Sequence, residues 1–258
     1  MKKTDKIANN PIRDNLLPHL RINLDSNFPE VVFLPGDPSR VDIFKENADE
    51  FEYLSKNREF VVGKGIYKNR RFGVCSTGIG SGSTEIALIE LFELGCRSFI
   101  RVGGCGTLNK DINCGDIIIN SGMVRLGGSS INYAPKEYPA VADPELLVTL
   151  LNTCKKFSEK CHVGIGASVD SYYKGQGRSI SGLKIDFKTK IFDEMMNLNV
   201  MNFDMETETI YTLSSLNKVR AVNLLAVHGN RVTNEWLSDY KSVQQKAVRI
   251  SLESLIEL

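Results

Sequence analysis

The chain alternates short apolar runs with helical stretches, and this alternation restricts the possible fold more than any other feature. Each run is rich in β-branched residues and closes in glycine or a polar turn, which is typical of a buried strand. The runs lie at residues 31–37, 71–78, 98–104, 116–122, 162–169 and 221–229. No Pro-rich or Gly/Ser-rich linker interrupts the alternation, so the sequence predicts a single α/β domain over residues 1–258. We expect a parallel or mixed sheet with helices on both faces.

Three helical stretches carry their own start or stop signals. Residues 83–95 are apolar nearly all round and stop at Gly95, which is typical of a buried helix. Residues 143–157 begin with Asp143 as a cap, followed by proline at the first helical position. The last stretch, 242–258, has its apolar residues along one face.

Composition excludes several kinds of partner. Thirty-two Lys and Arg against 31 Asp and Glu give a net charge of +1, so the chain has no excess positive charge to hold a nucleic acid or an anionic membrane. No stretch is apolar enough for a signal peptide or a membrane helix, which predicts a cytoplasmic protein. The six cysteines form no CxxC pair and the three histidines are dispersed, so neither a disulfide framework nor a metal site is indicated. The sequence also lacks the dinucleotide-binding, P-loop, zinc-protease and α/β-hydrolase motifs.

Glycine and arginine collect where three of the apolar runs end, which is where ligands bind in sheets of this class. Arg101 lies inside the run FIRVGG, and a lone buried charge is costly. It therefore needs an internal carboxylate, an edge strand open to water, or a bound anion. Arg40 follows the turn at 36–39, which on its own is ordinary turn chemistry. Together, the two guanidiniums and the glycine N–H groups predict a site for a dianion such as phosphate.

Two further segments offer groups for a nucleoside. Gln176 and Arg178 match a planar heterocycle with adjacent carbonyl and imide N–H groups, and Tyr172 could stack on such a ring. A solvated loop would have the same composition. Glu206, next to Met205 at a strand-to-helix junction, could accept hydrogen bonds from the cis-diol of a ribose. An acidic first turn that complements the helix dipole explains it equally well.

Six motifs, taken together and in order, resemble the uridine phosphorylase branch of the nucleoside phosphorylase family. They are GDPSR (36–40), STGIGSGST (76–84), RVGGCG (101–106), DSYYKGQGR (170–178), NFDMET (202–207) and GNR (229–231). The resemblance implies a three-layer α/β fold whose twisted mixed sheet is partly closed as a barrel and flanked by helices. It also implies phosphate-dependent cleavage of uridine to uracil and ribose 1-phosphate in pyrimidine salvage. The implied assembly is a homo-hexamer of three dimers with shared active sites.

The resemblance assigns roles position by position. The phosphate site falls on Gly36, Asp37, Arg40, Arg101 and Gly104, with Arg58 entering from the neighbouring subunit. The ribose site falls on Met205 and Glu206, with His19 reaching across the same interface. The base site falls on Tyr172, Gln176, Arg178 and His228, with Arg231 acting through water. Arg101, Glu206 and Arg178 are then the catalytic residues, and we expect Arg101→Ala to abolish turnover with little change in the fold.

The chain departs from the family pattern at several positions. Gly104 stands where a threonine is common, Gly177 replaces an acidic residue, and Asp204 is one methylene shorter than the usual glutamate. The aspartate that purine-specific relatives place after the late strand is absent from residues 227–231, which favours uridine. Purine phosphorolysis, deoxyuridine or thymidine as substrates, and a nucleoside-binding relative without turnover remain alternatives. The resemblance implies no cofactor besides phosphate as co-substrate, and it allows a monovalent cation near Glu59 and Ser76.

Overall fold

Eleven strands join in one sheet in the computed structural model, which describes residues 8–178 and 190–258. The strand order is β11-β10-β6-β8-β9-β5-β1-β4-β3-β2, and β7 pairs with β6. The strands are β1 (Val31–Pro35), β2 (Glu50–Asn57), β3 (Phe60–Tyr67), β4 (Arg70–Cys75), β5 (Ser98–Thr107), β6 (Ile117–Leu126), β7 (Ala140–Val141), β8 (Cys161–Val169), β9 (Asn202–Asp204), β10 (Arg220–Asn230) and β11 (Glu235–Trp236). All six predicted apolar runs are confirmed as strands.

Part of the sheet closes on itself. Strand β10 pairs with β6 on one side and with β5 on the other, so β10, β6, β8, β9 and β5 form a five-stranded barrel. The parallel ladder between β5 and β10 is interrupted by a bulge at His228, where the register shifts between Val227 and Gly229. The predicted mixed sheet, partly closed as a barrel, is therefore confirmed.

Helices cover the sheet on both faces. They are α1 (Arg40–Asn47), α2 (Ser81–Glu93), α3 (Pro144–Lys156), α4 (Ile191–Asn197), α5 (Thr207–Leu216) and α6 (Tyr240–Ser254). One core cluster packs the sheet against α1, α3 and α6, and a second packs it against α2, α5 and the segment around Leu17. Strand β1 shows why two cores form, because Phe33 lies in the first cluster and its neighbours Val32 and Leu34 lie in the second.

Local signals define the helix ends where the sequence carries them. The side chain of Asp143 accepts a hydrogen bond from Leu146 N at 2.9 Å, as predicted for the cap of α3. The hairpin of β2 and β3 was not predicted, because β2 is half exposed and its apolar residues do not form a run. Among the described residues, no helix has both the length and the apolar character that a membrane crossing requires.

Candidate active site

The glycine-rich strand ends line a single cavity of about 1110 Å³. Strand β1 runs parallel to both β4 and β5, so the carboxyl ends of the three strands reach the same edge of the sheet. Gly36 follows β1, Gly78 follows β4 and Gly104 lies near the end of β5, and all three contribute to the cavity wall. The glycine-rich strand ends therefore meet, as the sequence predicts.

Arg101 has internal carboxylate partners and also reaches the cavity. Its Nε lies 3.0 Å from Asp204 Oδ2, and its Nη2 lies 2.5 Å from Glu206 Oε2. Burial lowers the pKa of Arg101, but the charges of Glu206 and Asp204 more than offset this and raise it overall. The third nitrogen, Nη1, is buried on the side of Gly36 and has no hydrogen-bond partner within the described part of the chain. Arg101 therefore combines two of the predicted outcomes, with two nitrogens paired internally and one donor left for an anion.

Asp204 holds Arg101 in this position. Besides Arg101, its carboxylate accepts hydrogen bonds from the hydroxyls of Ser168 and Thr207 and from Thr207 N. It thus links β5, β8 and the start of α5 around one buried carboxylate. Sequence analysis did not identify this role, since nothing in the local pattern indicates which strand Asp204 faces.

Arg40 is the second cation of the cavity and has no carboxylate within ion-pair distance among the described residues. Its Nη1 donates a long hydrogen bond, 3.4 Å, to Val102 O. Burial lowers the pKa of Arg40, and the nearby charge of Arg101 lowers it further. Asp37 lies beside it in the cavity wall, but its Oδ1 accepts from Ser39 N at 2.9 Å, so it stabilises the turn and does not hold Arg40 by a hydrogen bond.

Glu206 lies next to the arginines, at the beginning of α5. Its Oε1 accepts from Gly80 N at 2.8 Å, at the beginning of α2, while Oε2 pairs with Arg101. Burial raises the pKa of Glu206, although the charge of Arg101 opposes the shift. Each carboxylate oxygen retains a lone pair for a further donor. Met205 also lines the cavity, so an apolar surface and a free acceptor lie side by side.

The predicted base-binding residues form the opposite end of the cavity. Tyr172, Gln176 and Arg178 all line it, and the Arg178 guanidinium lies over the Tyr172 ring at 4.2 Å. Gln176 is only 2% exposed, and Arg178 Nε is buried with no hydrogen-bond partner among the described residues. Burial lowers the pKa of Arg178. A Cβ added at Gly106 would lie 3.5 Å from Arg178 Nη2, which places this end beyond Gly104 along β5.

Arg231 supports the base end from behind. It donates from Nη1 to Gln176 O at 3.0 Å and from Nη2 to Gly177 O at 3.4 Å. Burial lowers the pKa of Arg231 to about 10, and the charge of Arg178 contributes. Arg231 thus binds directly to the backbone of the loop that carries Gln176, and its contact with the base through water stays a prediction.

His228 also lines the cavity, next to Gly104. Its ring packs at 5.5 Å from Tyr240, and Trp236 extends the same aromatic wall. Burial, helped by the charge of Arg40, lowers the pKa of His228 to about 4. No sequence motif indicates Trp236 and Tyr240, because β11 and the first turn of α6 reach the cavity only through the tertiary fold.

His19 and Arg58 do not line this cavity, but they lie near each other. Asn57 Nδ2 donates to His19 O at 2.7 Å, and exposed Arg58 follows Asn57 at the turn between β2 and β3. Glu90 fixes His19, since its carboxylate accepts from the backbone N–H groups of His19 and Leu20 and lies 2.6 Å from His19 Nδ1. The two residues that the resemblance assigns to a neighbouring subunit thus belong to one patch of surface.

Ser76 and Glu59, where the resemblance allows a monovalent cation, are joined by a hydrogen bond. The Ser76 hydroxyl donates to Glu59 O at 2.6 Å and accepts from Val61 N at 2.7 Å. Within residues 8–178 and 190–258, no group of three or more His, Cys, Asp or Glu side chains is arranged to hold a metal ion.

Comparison with known proteins identifies the family. The model of the phosphorylase superfamily matches residues 30–257. A uridine phosphorylase of Thermococcus kodakarensis is 40% identical over 87% of this chain and 80% of its own length. The uridine phosphorylase of Escherichia coli is 36% identical over 87% of this chain and 90% of its own length. A guanosine phosphorylase of Halorubrum lacusprofundi is 30% identical over 93% of this chain and 98% of its own length.

The match spans the whole sheet, and with it every strand that contributes to the cavity. On this ground, and on that of the barrel-containing fold, the chain belongs to the phosphorylase superfamily.

Proposed function

We propose that the protein cleaves uridine with inorganic phosphate, giving uracil and ribose 1-phosphate. The observation that carries the proposal is the order of groups along one cavity. Arg101 lies against Gly36 and Gly103, with Glu206 paired to it and Arg40 near both, whereas Arg178 lies against Gly106, further along β5, in the same cavity wall as Gln176. This order matches phosphate, ribose and a base with carbonyl and imide groups. Relatives named uridine phosphorylase, at 36–40% identity over most of the chain, support the same substrate.

The anion end positions the nucleophile. Arg40 has no competing carboxylate at ion-pair distance among the described residues, and Arg101 keeps one donor free, so both can grip a phosphate oxygen. Asp204 and Glu206 keep Arg101 from rotating away, because each fixes a different nitrogen. Holding phosphate against C1′ supplies much of the rate enhancement, since the bimolecular step becomes effectively unimolecular.

The other end stabilises the leaving group. A phosphate oxygen forms the new bond to C1′ as the C1′–N1 bond breaks. The electron pair of the broken C1′–N1 bond passes to the pyrimidine. Donors from Gln176 and Arg178 bind the developing anion more strongly than the neutral nucleoside, so they lower the barrier. The uracil anion then takes a proton from water. Glu206, with Met205 beside it, accepts from the ribose hydroxyls and keeps C1′ in line.

The test is an assay of the purified protein with uridine, with and without phosphate, in which uracil and ribose 1-phosphate are measured. Uracil released only with phosphate supports the proposal. Release without phosphate indicates a nucleosidase, and tight uridine binding without product indicates a binding protein; either result overturns it.

Purine phosphorolysis is the second candidate function. The relative named guanosine phosphorylase supports it, as does His228 in the cavity wall, which offers a ring nitrogen to a bound ligand. Inosine and guanosine in the same assay, compared with uridine by kcat/KM, decide between the two. Deoxyuridine and thymidine in parallel define the sugar and base preference.

The assembly is part of the proposal. We expect a homo-hexamer of dimers in which the surface patch of His19 and Arg58 completes the cavity of the neighbouring subunit. Co-expression of Arg58→Ala with Arg40→Ala tests this, because a mixed dimer then contains one site with neither change. Activity in the mixture above that of both single variants supports shared sites, and light scattering measures the size of the assembly. Activity no higher than that of the single variants contradicts shared sites.

The remaining expectations concern cellular location, partners and ions. We propose a cytoplasmic enzyme of pyrimidine salvage with small-molecule substrates, no nucleic-acid or membrane partner, and no cofactor besides phosphate as co-substrate. If a monovalent cation binds near Glu59 and Ser76, activity should change when potassium is exchanged for a bulky organic cation at constant ionic strength.

A further inference from the structure

His228 and Gly104 occupy the same space in the cavity wall. His228 is the extra residue of the β10 bulge, and a bulge aims its side chain away from the regular ladder. A Cβ added at Gly104 would lie 2.6 Å from His228 Nδ1 and 2.9 Å from Nε2, and it would overlap Cε1. Such distances are far below van der Waals contact. Glycine at 104 is therefore what admits the imidazole at 228.

Gln244 determines which ring nitrogen carries the proton. Its Nε2 lies 3.2 Å from Gly103 O and 2.5 Å from His228 Nε2. A carbonyl oxygen only accepts hydrogen bonds, so the amide nitrogen and not the amide oxygen must face Gly103. The same nitrogen then donates to His228 Nε2, which leaves the proton on Nδ1.

The donor that results belongs to a residue of the cavity wall. No described residue accepts a hydrogen bond from His228 Nδ1. The imidazole of His228 is neutral near pH 7, because burial lowers its pKa and the positive charge of nearby Arg40 lowers it further. A neutral N–H group suits the anion end, because it adds a hydrogen bond to an oxyanion without adding a third positive charge beside two arginines.

We propose that His228 is a phosphate-binding residue, which supplies from Nδ1 the side-chain hydrogen bond that glycine at 104 cannot make. The inference rests on the proposed function, since it takes phosphate as the ligand. Gln244 is a positioning residue in this arrangement, because it acts only by holding the ring and its tautomer.

The first experiment measures phosphate binding directly by calorimetry, together with the KM values for phosphate and uridine. His228→Ala should weaken phosphate binding roughly 10- to 100-fold, as expected for a lost hydrogen bond to a charged group, and should change the KM for uridine far less. His162→Ala is the matched control. His162 pairs with Asp116 at 2.8 Å outside the cavity, so its loss should leave phosphate affinity unchanged.

The second experiment tests the shared space. Gly104→Ser should by itself weaken phosphate binding, because its Cβ displaces the imidazole. Adding His228→Ala to Gly104→Ser should recover part of the loss, since the serine hydroxyl then has room to act as a donor. A double variant weaker than both single variants contradicts the coupling.

The third readout needs no turnover. Nitrogen-15 spectra of the histidine side chains should show the Nδ1–H form of His228 in the wild type, with an Nδ1 proton that shifts when phosphate is added. Gln244→Leu should give a mixture of tautomers, and Gln244→Asn should not restore the pure form because its side chain is too short.

The outcomes separate the two proposals. If phosphate binds to the wild type and equally to His228→Ala, the inference fails while phosphorolysis stands. A raised KM for uridine with unchanged phosphate affinity likewise overturns it and assigns His228 to the nucleoside. If the wild type binds no phosphate, the proposed function and the inference both fail.

Discussion

Replacing Arg101 by alanine should reduce both activity and stability, in contrast to the expectation from sequence that the fold would be little changed. In the structure Arg101 is the ion-pair partner of two buried carboxylates, those of Asp204 and Glu206. Removing one member of a buried ion pair costs about 3–5 kcal/mol, because the remaining charge is left buried and unpaired. With an unfolding entropy of about 2.1 cal/mol/K per residue over 258 residues, this corresponds to a fall in Tm of about 5–10 °C.

The loss should depend on pH. Burial already raises the pKa of Glu206, and removal of Arg101 should raise it further. Above that pKa the folded protein must keep a charged carboxylate buried, whereas the unfolded chain does not. As the pH falls through it, the folded state takes up a proton and gains stability relative to the unfolded chain. The difference in Tm between variant and wild type should therefore be larger at about pH 8 than at about pH 5.

Arg40→Ala is the matched control for this prediction. Arg40 lines the same cavity, but its one hydrogen bond among the described residues is a long one to a backbone carbonyl, so its removal should cost about 1 kcal/mol and lower Tm by about 2 °C. Both variants should lose activity, by about 10²–10³-fold in kcat/KM for phosphate, since each removes a charged donor from the oxyanion. Calorimetric scans at several pH values and phosphate titrations provide the data. Equal Tm values for the two variants, or a pH-independent loss in Arg101→Ala, would refute the reasoning.

Three further variants test other parts of the site. Glu206→Gln should raise the KM for uridine and lower kcat at pH 7 while phosphate affinity falls less, as steady-state kinetics would show; an unchanged uridine KM contradicts its role at the ribose. Arg231→Met should raise the KM for uridine about tenfold and leave phosphate binding intact, because the loop of Gln176 and Gly177 loses its two supporting hydrogen bonds. Asp143→Ala removes the cap of α3, which does not line the cavity, and should lower stability by about 1 kcal/mol in urea unfolding with no change in either KM.

The sequence by itself determined the layers of the fold and much of the chemistry of the site. Apolar runs that close in glycine mark strands whatever their surroundings, because a buried strand needs apolar side chains on both faces. The arginine inside FIRVGG indicated a charged site at a strand end for a related reason, since a buried cation needs a counter-charge. Asp143 defined its helix start through contacts within one turn of the chain.

Only the tertiary structure decided which groups meet. That β10 pairs with both β5 and β6, and so closes the barrel, depends on contacts between distant segments that no local pattern encodes. The same closure brings Asp204 to Arg101 and places His228, on a bulge, over Gly104. In the sequence, Gly104 is only a position without a side chain. In the folded protein, the space beside it is filled by His228, which lies more than a hundred residues away in the chain. Steric exclusion and burial act between neighbours in space, and it is the fold that makes these residues neighbours.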